Sequence, residues 1–571
     1  MRFQVLACWS AVLVASSAQG QYTTVRVSLS NEQAPGNSGS AGAWVSGDAR
    51  YVAFGSSATN FSGQPGSYGG VYVRDRVAST LQRVSIGTAG AMPNNGSVAR
   101  GLSRDGRYVL YDSYATNLVV PDDNGTSTDA YYFDRTLGTT TRVSISSAGV
   151  QGNQSIAVSA LSGDGRRVAF SSYATNLDPL HPTYGPADVY VRDLDASTTT
   201  IVSVGSAGER SNGQSGSAGL ALSLDGRFVA FSSQATNLVA NDTNARDDVF
   251  VRDVLAGTNE RVSVANSGAQ SAGTASEAAI TLDGRFVAFS SDGTDLVAEP
   301  MVPLYFRIYV RDRATGSTEL ASRATDGSAC NGTCYAPSFS DDGRYLAFLS
   351  SATNLVEGDT NGKTDVFVVD RWTGATRCAS VSSSGVQSNW QSVDCGLSGD
   401  GRVAVFSTLA WNLVPNDVNG ALDVFASLPP AVPVAYCTAK TNSLGCTPAM
   451  GSSGSPSASS AAPFLVTASS VLNQRAGLCF YGFGARAAAF QGGTMCVQSP
   501  VRRTPVQNSG GNASGDDCSG SYAFDMNARI QLGVDPDLTA GATVYGQYWS
   551  RDPASASTTG LTDALAFEIA P

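Results

Sequence analysis

The sequence predicts an all-β chain: a seven-bladed β-propeller followed by a small, disulfide-stapled β-sandwich. Three observations lead there. One phrase recurs at a near-constant interval, each interval holds four short runs of strand character, and beyond the last repeat the pattern gives way to a cysteine-bearing tail.

The phrase is Leu161-Ser162-Gly163-Asp164-Gly165-Arg166 followed by an apolar run, and its aspartate recurs as Asp48, Asp105, Asp164, Asp225, Asp283, Asp342 and Asp400. The intervals are 57, 59, 61, 58, 59 and 58 residues. Self-similarity at this period marks a repeat architecture and overrides a domain count taken from length. In the fourth repeat, 218–223 reads as a first strand, Leu224-Asp225-Gly226 as a tight turn and 227–231 as a second strand. Residues 248–253 and 260–264 supply the third and fourth strands. The alternation has period two and no stretch sustains a helical period. Four antiparallel strands per unit, repeated in tandem, form propeller blades, which bury their faces only against neighbours. Seven repeats predict seven blades, with six or eight as the alternative counts.

The seventh repeat stops before its fourth strand, and 23–29 (Thr-Thr-Val-Arg-Val-Ser-Leu) supplies a matching one from the other end of the chain. The expected organisation is therefore a signal peptide at 1–20, a propeller at 21–427 closed by its N-terminal strand, a linker at 428–435 and a β-sandwich at 436–571. Arg2, the apolar stretch 5–14 and the small residues ending Ala18-Gln19-Gly20 are a secretory address. The expected location is secreted, periplasmic or on the cell surface, with no transmembrane anchor.

The Ser-x-Asp-Gly-Arg phrase and its apolar strand resemble the repeats of TolB-like, WD40-type (PD40) propellers, over about 23–427. The resemblance implies a propeller fold that commonly serves as a binding platform. TolB's preceding α/β domain is missing here, so its own partners do not transfer. In the tail, 436–446 (Tyr-Cys-Thr-Ala-Lys-Thr-Asn-Ser-Leu-Gly-Cys) and 545–552 (Tyr-Gly-Gln-Tyr-Trp-Ser-Arg-Asp) resemble a C-terminal module of large exported proteins from planctomycete-like bacteria. That module implies a location more than an activity.

Composition narrows the function. Net charge is -11, which argues against a general nucleic-acid binder, since phosphate attraction needs a basic face. The single histidine, His181, reads as a surface residue beside Pro182, and it nearly excludes Ser–His–Asp and multi-histidine zinc chemistry. No catalytic residue is assigned. The reading is an exported, non-catalytic scaffold with a protein partner. The alternatives are an extracellular glycan-processing enzyme (a hydrolase or sialidase-like, with paired carboxylates) or a glycan-binding protein.

Three loops carry Asp-x-Asn-x-x-x-Asp: Asp242/Asn244/Asp248, Asp359/Asn361/Asp365 and Asp417/Asn419/Asp423; Asp122-Asn124-Gly125-Asp129 is one residue longer. Alternating oxygen ligands around a turn suit calcium; an Asx turn that satisfies local amides is the competing reading. The Arg-Asp pairs Arg74-Asp75, Arg192-Asp193, Arg252-Asp253 and Arg311-Asp312 recur too regularly for one active site and read as structural ion pairs. Phe170, Phe231, Phe289 and Phe348 recur once per repeat and read as core.

Without Cys8, nine cysteines remain. In an oxidising compartment the expected pairs are Cys437–Cys446 and Cys496–Cys518, followed by Cys330–Cys334 and Cys378–Cys395, with Cys479 buried and free. Residues 450–462 read as a flexible loop, and 464–467, 477–481, 493–497, 529–532, 543–549 and 564–569 as tail strands. Tyr545, Tyr548 and Trp549 are either a sugar-stacking surface or core.

Overall fold

A computed structural model describes residues 22–61, 69–178, 185–299, 301, 304–429, 433–454, 456–460, 462–539 and 542–569. The expected signal peptide and His181 lie outside the described residues. The chain divides at Leu428 and Pro429 into two compact units.

In the first unit, Tyr22–Leu428, the described strands form seven four-stranded antiparallel sheets. The fourth is Ser215–Leu222, Phe228–Ser233, Asp248–Asp253 and Thr258–Arg261, here called strands a to d from the axis outward. Each strand a packs beside strand a of the next sheet, and that of the seventh, Ser392–Leu397, packs beside that of the first, Ser40–Val45. This contact closes the ring. The fourth strand of the last sheet is Thr23–Arg26, antiparallel to Asp423–Leu428 with Thr23 opposite Leu428. It covers an edge that would otherwise be open to another chain.

The recurring phrase builds the turn between strands a and b. Ser223 Oγ donates to Asp225 Oδ1 (2.9 Å), which also accepts the Arg227 amide (3.0 Å), while Phe228 N donates to Ser223 Oγ (3.0 Å). Gly226 takes φ +66°, and a Cβ there would lie 2.8 Å from the Arg167 side chain of the preceding blade. In five blades the arginine of the phrase then reaches the aspartate that ends strand c: Arg50–Asp75, Arg107–Asp134, Arg227–Asp253, Arg285–Asp312 and Arg344–Asp370 lie at 2.6–2.8 Å. In the third blade the next residue, Arg167, meets Asp193 at 3.0 Å, and the phrase arginine Arg166 turns to Asp195. The Arg-Asp pairs are thus structural, but each aspartate chooses the strand-b arginine over its sequence neighbour. Between the sheets, one aromatic from strand b packs against one from strand c in every blade, with centroids 5.7–6.3 Å apart; Phe170 and Tyr190 are stacked, Phe231 and Phe250 tilted at 33°. Phe170, Phe231, Phe289 and Phe348 are fully buried, as the column predicts.

In the tail unit, a sheet ordered Val434–Tyr436, Thr559–Glu568, Thr543–Arg551, Ala476–Gly482 and Arg502–Arg503 shares one core with a three-stranded sheet of Ala449–Ser453, Leu465–Val471 and Gly520–Asp525. Phe464, Val466, Tyr481, Tyr548 and Phe567 fill that core. Two expectations fail locally. Residues 526–531 form a helix capped by the Asp525 carboxylate on Ala528 N, where a strand was expected at 529–532. The start of the expected flexible loop, Ala449–Ser453, is a paired strand.

The disulfides run crosswise to expectation: Cys437–Cys496 and Cys446–Cys518. Local pairing of Cys437 with Cys446 gives way because Val434–Tyr436 lies on the large sheet, with Tyr436 Oη donating to Cys496 O (2.6 Å). Cys330, Cys334, Cys378 and Cys395 are free thiols. Cys378 ends the outermost strand of the sixth blade and Cys395 lies on the innermost strand of the seventh, too far apart across the sheet to bond. Cys330 and Cys334 have Sγ atoms 3.1 Å apart and occupy the positions that Ser211 and Ser215 hold in the fourth blade. Cys334 Sγ meets Ser350 Oγ as Ser215 Oγ meets Ser233 Oγ, so the thiols serve as buried hydroxyl equivalents. Cys479 is free and buried.

Candidate functional site

Two places in the propeller gather chemically interesting groups: the acidic loops beside strand c, and the axial channel.

Strand c opens on a buried aspartate in five blades: Asp129, Asp188, Asp248, Asp365 and Asp423. Each accepts a serine hydroxyl from just beyond strand d, at 2.5–2.7 Å: Ser144, Ser203, Ser263, Ser380 and Ser28. The structure brings each sequence-predicted trio together, but arranges it as an Asx turn. Asn244, Asn361 and Asn419 turn their amide nitrogens to Asp248, Asp365 and Asp423 (3.2, 2.7 and 2.8 Å). Their oxygens accept local amides from Arg246, Lys363 and Ala421.

The positive charge expected from an ion is supplied by arginine in most of these loops. Arg261 lies 3.4 Å from Asp242 and 3.6 Å from Asp248. Arg26 lies 2.7 Å from Asp417 and 3.5 Å from Asp423. Arg142 does the same between Asp122 and Asp129. In the third blade Ile201 replaces this arginine, and Arg210 from the next loop pairs with Asp188 instead. At Asp242/Asn244/Asp248 and Asp417/Asn419/Asp423 a guanidinium thus lies against both carboxylates, where the calcium reading would set the ion. These arginines were not singled out in the sequence, because each lies 13 residues or more from its aspartates; the clue was their recurrence at one column of strand d.

The sixth blade departs from this rule. Asp359 and Asp365 are buried together, but the strand-d position holds Cys378. Among the described residues no arginine or lysine forms an ion pair with either. Burial pushes the Asp365 carboxyl up to about 6 against the pull of Ser380 and Asn361, and burial also raises Asp359. Burial, reinforced by Asp365, pushes the Cys378 thiol up to about 12. Among the described residues no group of three or more His, Cys, Asp or Glu is placed to hold a metal.

The second place is the axial channel, a cavity of about 480 Å³ walled by the seven a strands. Each of these strands is broken by a bulge, as between Ala41 and Trp44 or Tyr335 and Ser338. Bulges re-aim side chains and interrupt regular pairing. Small and apolar residues dominate the wall, and Trp44, Val98 and Val393 are each more than two-fifths exposed. The charged groups are already engaged. Arg100 Nε donates to Asp112 Oδ2 (2.6 Å), whose other oxygen accepts Ser159 Oγ (2.6 Å). Arg104 pairs across the ring with Asp341, and burial lowers its pKa to about 10. Asp394 accepts Gly42 N and Ser407 Oγ, and burial raises its carboxyl.

In the tail, Tyr548 is core, its hydroxyl donating to Val466 O (3.2 Å), and Tyr545 packs edge-on against Tyr436. Trp549 lines an apolar hollow of about 330 Å³ with Leu478, Phe480 and Met495. Among the described residues no helix is long and apolar enough to cross a membrane.

No protein family and no curated protein matches the chain. Among solved structures it is similar to a TolB protein of Agrobacterium tumefaciens, at 15% identity and TM-score 0.33, over 56% of this chain and 91% of that one. It is also similar to a prolyl endopeptidase (12%, TM-score 0.41, 76% of this chain and 54% of that one). A third similarity is to an acylaminoacyl peptidase of Pyrococcus horikoshii (10%, TM-score 0.40, 76% and 57%). The chain thus spans just over half the length of either peptidase. The sheet order, the ring of neighbouring a strands and the closing N-terminal strand make 22–428 a β-propeller.

Proposed function

We propose that the protein is an exported, non-catalytic platform whose axial channel receives an extended segment of a protein partner. The observation that carries this reading is the channel wall. It offers apolar contact through Trp44, Val98 and Val393, and backbone freed from regular pairing by bulges, while Arg100 and Arg104 pair with aspartates and Asp394 accepts Gly42 N and Ser407 Oγ. A volume of about 480 Å³ suits a few residues of peptide, within the roughly 300–1,000 Å³ of ordinary ligand sites. Export is supported by the two disulfides of the tail, which persist in oxidising compartments.

A photo-crosslinking residue at Val98 tests the proposal, with one at the exposed Val77 as control. The expected result is a single adduct from Val98 alone, which is lost in Trp44→Asp and rebuilt with the purified partner. Release of products from polysaccharides or peptides by the purified chain would overturn the non-catalytic reading, and equal adducts from both positions would overturn the channel as the site.

A further inference from the structure

The loop that follows strand b carries a threonine in six blades: Thr59, Thr116, Thr175, Thr236, Thr294 and Thr353. The seventh has Trp411. A second column, just ahead of strand a, holds Ser38, Asn95, Gln154, Gly213, Gly273 and Gly332, and in the seventh blade Trp390. Both substitutions fall in the same blade, and both run against the fold. Elsewhere the threonine hydroxyl accepts an asparagine amide, as in Asn153–Thr175 (2.9 Å), Asn212–Thr236 (2.9 Å) and Asn331–Thr353 (3.1 Å). A Cβ at Gly213 or Gly332 would lie 2.5–2.6 Å from the backbone of the facing loop.

In the seventh blade Asn389 keeps only the backbone half of this arrangement. Its Oδ1 accepts Trp411 N (3.2 Å) and its own amide donates to Asn412 Oδ1 (3.1 Å), while its side-chain NH₂ has lost the hydroxyl it would meet in five other blades. The two indoles lie side by side, centroids 6.4 Å apart and planes at 39°, and are 39% and 57% exposed. Lys363 Nζ stands 5.3 Å from the Trp390 ring, and among the described residues it makes no ion pair. The other lysine of the chain, Lys440, is bonded to Gln491 O, Ser555 Oγ and Thr559 O.

The geometry points to a binding site for a uronic-acid polysaccharide on the loops of the seventh blade and the Lys363 loop of the sixth, separate from the channel. A pyranose ring presents a face of C–H groups, which the negative faces of Trp390 and Trp411 attract. Its carboxylate is the acceptor that Lys363 lacks, and charge-assisted contacts of this kind are the strong ones. A ring hydroxyl takes the place of the threonine for Asn389. An aliphatic peptide would leave both the lysine and the amide unsatisfied.

Affinity electrophoresis of the full chain through gels containing polygalacturonate, dextran or no polymer tests the site. Wild type is expected to be retarded by polygalacturonate alone. Trp411→Thr, which restores the hydroxyl of the other blades, and Lys363→Gln are expected to lose the retardation while keeping the wild-type melting temperature. Unchanged wild-type mobility in polygalacturonate, equal retardation by dextran, or undiminished retardation of Trp411→Thr would overturn the proposal. So would quenching of the indoles by a proline-rich peptide without any shift in polygalacturonate. Trp390→Gly gives the same reading; if it does not fold, Trp411→Thr decides. The Val98 crosslinking result is independent of all these outcomes.

Discussion

Cys378 stands opposite Phe367 in the register that sets Arg261 opposite Phe250 and Arg142 opposite Tyr131, so Asp365 faces a thiol where its counterparts face a guanidinium. The sixth blade therefore carries two buried carboxylates, Asp359 and Asp365, without the counter-charge of its siblings.

This pair makes stability depend on pH in a defined direction. Asp365 has a folded-state pKa of about 6, above its ordinary value, so its contribution is full at acidic pH and is lost as pH rises through 6. A shift of two units corresponds to ~3 kcal/mol. Denaturant titrations at pH 5 and 7.5 are expected to show wild type losing stability at the higher pH, and Cys378→Arg or Asp365→Asn losing markedly less. An identical loss in all three would refute the assignment to this blade.

The converse substitution removes an existing counter-charge. Arg261→Gln leaves Asp242 and Asp248 buried and facing each other, and breaking a buried ion pair in this way costs roughly 3–5 kcal/mol. The drop in unfolding midpoint is expected to be larger at pH 7.5 than at pH 5, because protonation relieves the pair.

The turn of the first blade departs from its siblings in one residue, Ala49. In six blades the turn glycine abuts the residue that opens strand b of the preceding blade: a Cβ at Gly106 would lie 2.3 Å from Tyr51, and one at Gly165 2.3 Å from Tyr108. In the first blade the residue is Ala49, at φ +59°, and the corresponding neighbour is Val403, both in one buried cluster. Val403→Tyr is expected to destabilise by about 1–3 kcal/mol through overpacking, and Ala49→Gly to rescue it. Ala49→Gly alone relieves a positive φ and is expected to gain up to about 1 kcal/mol. Additive effects in this double-mutant cycle would show that the two positions do not meet.

For the tail, non-reduced peptide mapping is expected to recover Cys437 with Cys496 and Cys446 with Cys518. The bridges close segments of 59 and 72 residues, for which chain entropy gives about 4 kcal/mol each. Loss of either is expected to lower the tail's melting transition, and recovery of a Cys437–Cys446 peptide would contradict the sheet pairing described here.

Much of the propeller was legible because each repeat reports on the same local physics. The Asp225-Gly226 turn, the strand alternation and the aromatic column at Phe231 recur in register, and the orphan run at 23–29 matched the missing strand of the seventh unit. What escaped was decided by partners distant in sequence. Arg261 serves Asp242 from 19 residues away, and nothing local distinguishes its guanidinium from an absent cation. Cys437 and Cys446 are close in sequence, but pairing of Val434–Tyr436 with Thr559–Glu568 carries Cys437 to Cys496. The expected strand at 529–532 falls on the end of the helix 526–531, whose apolar residues are too few for periodicity to decide, although Asp525 was a readable cap.

The pairing of Thr23–Arg26 with Asp423–Leu428 also has a consequence for biosynthesis. Thr23–Arg26 has no sheet to join until Asp423–Leu428, some four hundred residues further along the chain, has been made. Through that interval Ser28 lacks its Asp423 partner and Val27 lacks Val424 and Ala426. The last latch falls only after Asp423–Leu428 has been made.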